Sequence, residues 1–173
     1  MALTAANVRV AVTGSCNIAP LGTTLPVDAT TALAAAFKDV GYVSEDGVTQ
    51  SISTDQSDIK AWQNGDVVRK IQTSHEVTYQ FTMIETNGET AQIYYADPDA
   101  TDTEVKITAA QTSHNVWAIE IKDGTEVSRI VLPDAQVTER GDMVFKTDEA
   151  VGYDITLTAY PDATGTKAYI YSA

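Results

Sequence analysis

Cysteine is nearly absent: Cys16 is the only one among 173 residues, so neither a disulfide within the chain nor a multi-cysteine metal site can form. A lone thiol in a chain of this size reads as a small buried hydrophobe in a protein folded under reducing conditions. Histidine is scarce too, with only His75 and His114. Basic residues are outnumbered, 11 Lys and Arg against 24 Asp and Glu, for a net charge of −13. Up to residue 38 the only charged side chains are Arg9, Asp28 and Lys38, which leaves −14 on the remainder. Such a surface repels phosphate and excludes an ordinary nucleic-acid-binding role, while leaving room for DNA as something that passes without sticking. No run approaches the roughly eighteen apolar residues of a membrane-spanning helix. Residues 1–7 lack the charged-then-apolar pattern of a leader, so synthesis in the cytosol is expected.

What is present is strand after strand. The chain is expected to form one domain that buries roughly 68–70% of its unfolded surface. Residues 7–16 alternate, with Val8, Val10 and Val12 on one side, which predicts a half-buried strand. The segment 17–36, with Pro20 and Pro26, has no clear period and reads as an extended arm; 32–37 is too short for a helix. Residues 39–52 then place two apolar runs around an acidic turn, Glu45-Asp46-Gly47, and predict a surface hairpin. Residues 53–66 are polar apart from Ile59 and Trp62 and read as a long loop with one apolar hook; Trp62 either points outward or folds back on its own core.

The cleanest alternation follows, with Val77, Tyr79, Phe81 and Met83 on one face and Thr78, Gln80 and Thr82 on the other. At 87–95 the period turns helical, with Asn87 as N-cap, Glu89 in the first turn and Pro98 as the stop. Beyond it, strands are expected at 105–107, 116–122, 125–132, 137–145, 151–160 and 167–171. Asp123-Gly124 marks a hairpin, and Trp117 alternates with Ile119 and Ile121 as core. The sum is an all-β chain with one short flanking α-helix, a sandwich or barrel.

No catalytic constellation emerges. His75-Glu76 does not extend to His-Glu-x-x-His, since Tyr79 occupies the second histidine's place. The acidic stretch 97–104 has neither the glycine nor the glutamate of a calcium loop, Asp102 and Thr108 standing at those positions. No Gly-x-Ser-x-Gly elbow or phosphate cradle is present. Arg140-Gly141-Asp142 is a turn with a chance match to an adhesion tripeptide. Neither cofactor nor metal is expected, and no enzyme.

The ordered set is more telling than any one motif. A strand, an extended segment, Gly41-Tyr42-Val43-Ser44-Glu45-Asp46-Gly47-Val48, a polar loop through Trp62, a strand to Ile84, and Glu85-Thr86-Asn87 leading to a helix that ends Tyr94-Tyr95 follow in sequence. This order resembles the major tail tube protein of long-tailed, non-contractile bacteriophages. The resemblance implies a β-sandwich or barrel of the tail tube type whose copies close as hexameric rings and stack into the tail tube of the virion, through which DNA is ejected. Partners would be the chain itself and the tape-measure, tail-tip and tail-terminator proteins, with no membrane. Segment 17–36 would then be an inter-subunit arm, and the loop 53–66, with Ile59 and Trp62, would stack rings. Glu45 and Asp46 become lumen or inter-subunit candidates. The alternative is a monomeric β-sandwich binding module of adhesin or carbohydrate-binding type, using Trp62, Trp117 and exposed tyrosines.

Overall fold

A computed structural model of the chain describes residues 3–4 and 7–173; Met1, Ala2, Ala5 and Ala6, part of the segment read for a leader, lie outside the described residues. The elements are β1 (Thr13–Pro20), β2 (Lys38–Asp39), β3 (Thr49–Lys60), β4 (Val67–Met83), α1 (Gly88–Tyr95), β5 (His114–Asp123), β6 (Glu126–Arg140), β7 (Tyr153–Ala159) and β8 (Tyr169–Ser172). They form one eight-stranded sheet ordered β2-β1-β5-β6-β7-β4-β3, with β8 paired to β6 off this path. Every strand pair is antiparallel. The all-β architecture with one short helix is the one the sequence predicts.

The sheet folds onto itself because β6 bends. Asn115 pairs with Ala135 and Trp117 with Leu132, so Pro133 and Asp134 oppose Val116 alone. That two-against-one bulge tolerates a proline, which has no N–H for the ladder, and it turns the strand. Residues before the bend pair with β8 and those after it with β7, so β6 carries the single sheet around the bend. Strands predicted separately at 125–132 and 137–145 are therefore one element ending at Arg140, and Val144 and Phe145 lie beyond it, exposed.

Between the layers lie the alternating residues of β4 that the sequence picks out: Val77, Tyr79, Phe81 and Met83 are all buried. Phe81 meets Trp117 of β5 edge-to-face at 5.9 Å between ring centroids, although three strand boundaries separate them in the sheet. Cys16 is buried as expected, and desolvation, with Asp39 nearby, pushes its thiol up to about 12. Helix α1 is capped by Asn87, which accepts from the Thr90 amide at 2.9 Å, and it stops at Ala96 in the left-handed conformation, before Pro98 is reached. Its Tyr94 packs on Tyr153 and donates to the Gly141 carbonyl at 2.7 Å.

Several expectations are corrected. The first strand starts at Thr13, not Asn7, and the three valines before it are exposed. Residues 8–12 instead run along the end of β5, held by Val12 N–H to the Lys122 carbonyl, Val10 N–H to Asp123 and an Arg9–Glu126 ion pair. Asn17 to Pro20, assigned to the arm, complete β1 because Ala19 and the Asn17 side chain are buried against β5. Residues 105–107 form no strand: the buried Asp97 carboxylate takes the Lys106 amide and directs the chain there. The hairpin at 39–52 is not one either. Val43 bridges Met83 and Thr49 pairs with Gln80, so both runs lie along the same strand β4, with 44–48 as a turn that leaves and rejoins it. Gly41 (φ 85°) is required there, since a Cβ would fall 2.4 Å from the Glu85 carboxylate carbon, whose oxygen takes the Tyr42 amide.

The middle of segment 17–36 is tied to its own fold. The buried Arg129 guanidinium donates to Glu120 at 2.5 and 3.0 Å and to the carbonyls of Asp28 and Thr31 at 2.9 and 2.8 Å. Asp28 in turn caps the Thr30 and Thr31 amides and the Thr31 hydroxyl, and these bonds lower its pKa to about 2.

Arg129→Ala leaves Glu120, in a nearly closed site, with only the more distant Lys122 at 3.8 Å and frees residues 28–31. A loss of about 3 kcal/mol or more is expected from the denaturant midpoint, and Glu120→Gln, which keeps an acceptor, should lose less. Because Asp28 titrates below the unfolded value of 3.8, its contribution to the turn is complete above that pH and disappears as pH falls through about 2. Amide exchange at Thr30 and Thr31 should therefore stay slow at pH 4 and accelerate only toward pH 2, and Asp28→Ala should remove that pH step.

Candidate assembly interface

Strands β3 and β4 are longer than the body they belong to. Their pairing runs from Thr49↔Gln80 to Lys60↔Val67, but burial begins only at Val77; β3 and the first ten residues of β4 are exposed along their whole length. The region read as a loop at 53–66 is thus the outer part of a two-stranded ribbon that projects from the sheet. Asn64 and Gly65 at its tip both adopt positive φ (58° and 69°), and the Ala61 amide closes the turn on the Asp66 carbonyl at 2.7 Å. An isolated two-stranded hairpin is marginal in water. This one carries Ile52, Ile59, Val67, Val68 and Ile71 exposed, and Trp62 stands at the tip 97% exposed, not folded back on its own core.

The register assigns each residue to a face. Thr78, Gln80 and Thr82 share a face with Asp154, Thr156 and Thr158 of β7, and Thr138 of β6 joins through a 2.8 Å hydroxyl contact with Thr158. The same face continues onto the ribbon through Glu76, Ser74, Thr49, Ser51, Ser53 and Asp55. None of these positions carries Lys or Arg. The Asp154 carboxylate is held by Gln80 at 3.0 Å and Thr82 at 3.4 Å. Glu45 and Asp46 lie exposed in the turn beside the sheet's β3 edge, next to this face but not part of the ladder.

Other candidates resolve into structural roles. His114 pairs with Asp134 at 2.6 Å, while His75 lies on the ribbon, where its carbonyl accepts from Lys167. Within the acidic loop, Asp97 holds backbone amides and Asp102 accepts from the Gly88 amide at 2.8 Å, at the start of α1. Trp117 is core, with its indole N–H buried and without an acceptor in the described chain.

Sequence reasoning misses one concavity. A cleft of about 590 Å³ lies between α1 and the β1–β5 corner, lined among others by Ala36, Ile93, Pro98 and Trp117. On its lining, Lys38 and Glu89 form an ion pair at 2.5 Å. Its walls come from segments far apart in sequence, so no local pattern announces it.

Comparison with known proteins agrees with this geometry. Among curated proteins, none matches the sequence significantly. The tube of an extracellular contractile injection system, solved as a sheath–tube complex in the extended state, superposes with TM-score 0.55 at 10% identity, covering 98% of this chain and 95% of that one. The tube-terminating cap of the anti-feeding prophage superposes with TM-score 0.50 at 16% identity over the full length of both chains. At these identities both neighbours speak for the fold alone. The family model for phage tail tube proteins matches residues 1–172, and the chain belongs to that family, a structural and not an enzymatic one.

Proposed function

We propose that copies of this chain close into hexameric rings, that the rings stack into the tail tube of a virion, and that the tube is the conduit for DNA. The observation that carries this reading is the ribbon: some twenty residues of strand with no core of their own, studded with exposed aliphatic side chains and a tryptophan. Surface of that kind is stable when another copy covers it. Contact between two different patches of one chain repeats as a ring where rotation closes it and as a filament where it does not. The exposed Val8, Val10 and Val12 and the pair Val144 and Phe145 are further patches for neighbouring copies, and segment 21–36 on either side of its Arg129 anchor retains a role as inter-subunit arm. Tape-measure, tail-tip and terminator proteins would meet the tube at its ends and interior.

The hydroxyl face of β6, β7 and β4, with its continuation onto the ribbon as far as Asp55 and Ser74, carries no Lys or Arg and is the surface we assign to the lumen. Duplex DNA binds where Lys and Arg release its counterions, and this face offers none. Glu45 and Asp46, at the edge of the sheet, fit the boundary between neighbouring subunits around that lining.

Electron micrographs of the purified chain, with or without a seeding tail-tip complex, should contain rings or tubes of uniform diameter; a chain that stays monomeric in both cases would falsify the reading. Replacing 54–75 with an Asn-Gly turn should leave a folded body that no longer forms tubes. Tubes that persist would remove the ribbon from stacking. Thr78→Lys with Thr156→Lys should assemble normally yet slow DNA ejection and retain DNA in the tube; ejection at the normal rate would place the lumen elsewhere.

A further inference from the structure

We propose that the Trp62 tip of one copy seats in the cleft between α1 and the β1–β5 corner of a copy in the adjoining ring. This rests on the stacked-tube reading and names the site that the ribbon would meet.

The tip is built to present its side chain. Its turn is fixed by two consecutive left-handed residues and a 2.7 Å closing hydrogen bond, and Trp62 is held in solvent at the end of a ladder anchored in the core. An indole buries roughly 150–250 Å² when it is covered. A cleft of about 590 Å³, lined by Ile18, Ala36, Ile93, Pro98 and Trp117 among others, is roomy and apolar enough to take one. The cleft also offers the polar partner that an indole N–H demands: Asn115 and Gln92 donate their amides to Ser113 and Ala100, which leaves their side-chain oxygens as acceptors. In the opposite sense, the buried Trp117 N–H has no acceptor among the described residues, and the tip brings backbone carbonyls.

Charge gives the register. Lys60, the last residue of β3, and Asp66, just before β4, flank the tip, and neither makes an ion pair among the described residues. The cleft carries Lys38 and Glu89 side by side. Seating the tip sets Lys60 against Glu89 and Asp66 against Lys38, an alternating square of four charges. Copies that each carry −13 repel one another in general, so a contact needs local alternation of this kind to hold. The two patches are also placed for propagation. The ribbon leaves the N-terminal end of the buried part of β4, whereas α1 follows its C-terminal end. A plug and a socket on different patches of the same chain make a head-to-tail contact that repeats without limit.

Cross-linking tests the assignment. Gln63→Cys combined with Ser113→Cys keeps Trp62 in place, and the buried Cys16 does not compete. Mild oxidation of assembled tubes should give a ladder of covalent multimers on a non-reducing gel, with no ladder from either single variant. Trp62→Ala should abolish tubes. Exchanging the tip charges (Lys60→Asp with Asp66→Lys) should do the same, and adding Lys38→Glu with Glu89→Lys should restore them. Tubes that form without a ladder, or that tolerate both tip variants, overturn the cleft as receiver and leave the tube reading standing. If the unaltered chain forms no tubes even when seeded, the tube reading itself fails and the cleft assignment with it.

Discussion

Phe81 meets Trp117 edge-to-face across the interior at 5.9 Å, and this contact joins two stretches of one sheet that its hydrogen bonds keep apart. The bulge at Pro133 makes the fold-over possible; the aromatic pair and the buried row around it make it favourable, since such a pair contributes about 0.5–1.5 kcal/mol beyond its area. The same row governs parts of the molecule far from it. Val77, Tyr79, Phe81 and Met83 alternate on the strand that continues outward as half of the ribbon, so core and ribbon share one register. A slip by a single residue would turn this row out to solvent. Packing in the core therefore fixes which ribbon residues lie on which face and how the tip is presented, although no ribbon residue before Val77 touches the core.

What could be read from the sequence follows from that division. Period-two patterning reports a strand with one wet face and one dry face, and wherever the chain supplies its own dry face the reading holds: at 77–83, across Asp123-Gly124, and at Trp117. The N-cap of α1 was legible because capping is local chemistry, with Asn87 serving the Thr90 amide. The ribbon was not, because Thr49–Lys60 is wet on both faces and polar apart from Ile52 and Ile59, and reads as loop even though it is a ladder. The Asn64-Gly65 turn is the one local signal, marking a hairpin centre inside a stretch whose composition reads as loop. The valines at 8, 10 and 12 err the other way. Their alternation is real, but the dry face it implies is not provided by the described residues. The cleft and the Arg129 anchor depend on residues about a hundred positions apart, beyond any local pattern.

Charge is sorted as carefully as apolar surface. Arg129, which could have been a phosphate ligand, is buried and spent on Glu120 and two carbonyls. Lys38, Lys70 and Lys122 each have a carboxylate within 4 Å. The broad face of β6, β7 and β4 is left with hydroxyls, amides and a few carboxylates. Hydroxyls wet a surface without attracting polyanions, and the carboxylates add repulsion that is screened beyond about 10 Å at 0.1 M salt. A face of this kind keeps a phosphate backbone hydrated and close but unbound.

An exposed sheet edge is ordinarily a hazard, because any passing strand can extend it. β3 is such an edge, twelve residues long and unpaired on its outer side among the described residues. Its sequence, with Ser, Thr, Gln, Asp and only Ile52 and Ile59 as large apolar side chains, gives a stray strand backbone hydrogen bonds and almost no side-chain burial. Association through that edge alone is weak. In the stacking proposed above it would become favourable only where other contacts, at the valine row, the loop bearing Phe145 or the tip bearing Trp62, hold two copies at the correct angle. Under that proposal the separation has a use: the edge offers reach, and distant apolar patches would decide which neighbour may use it.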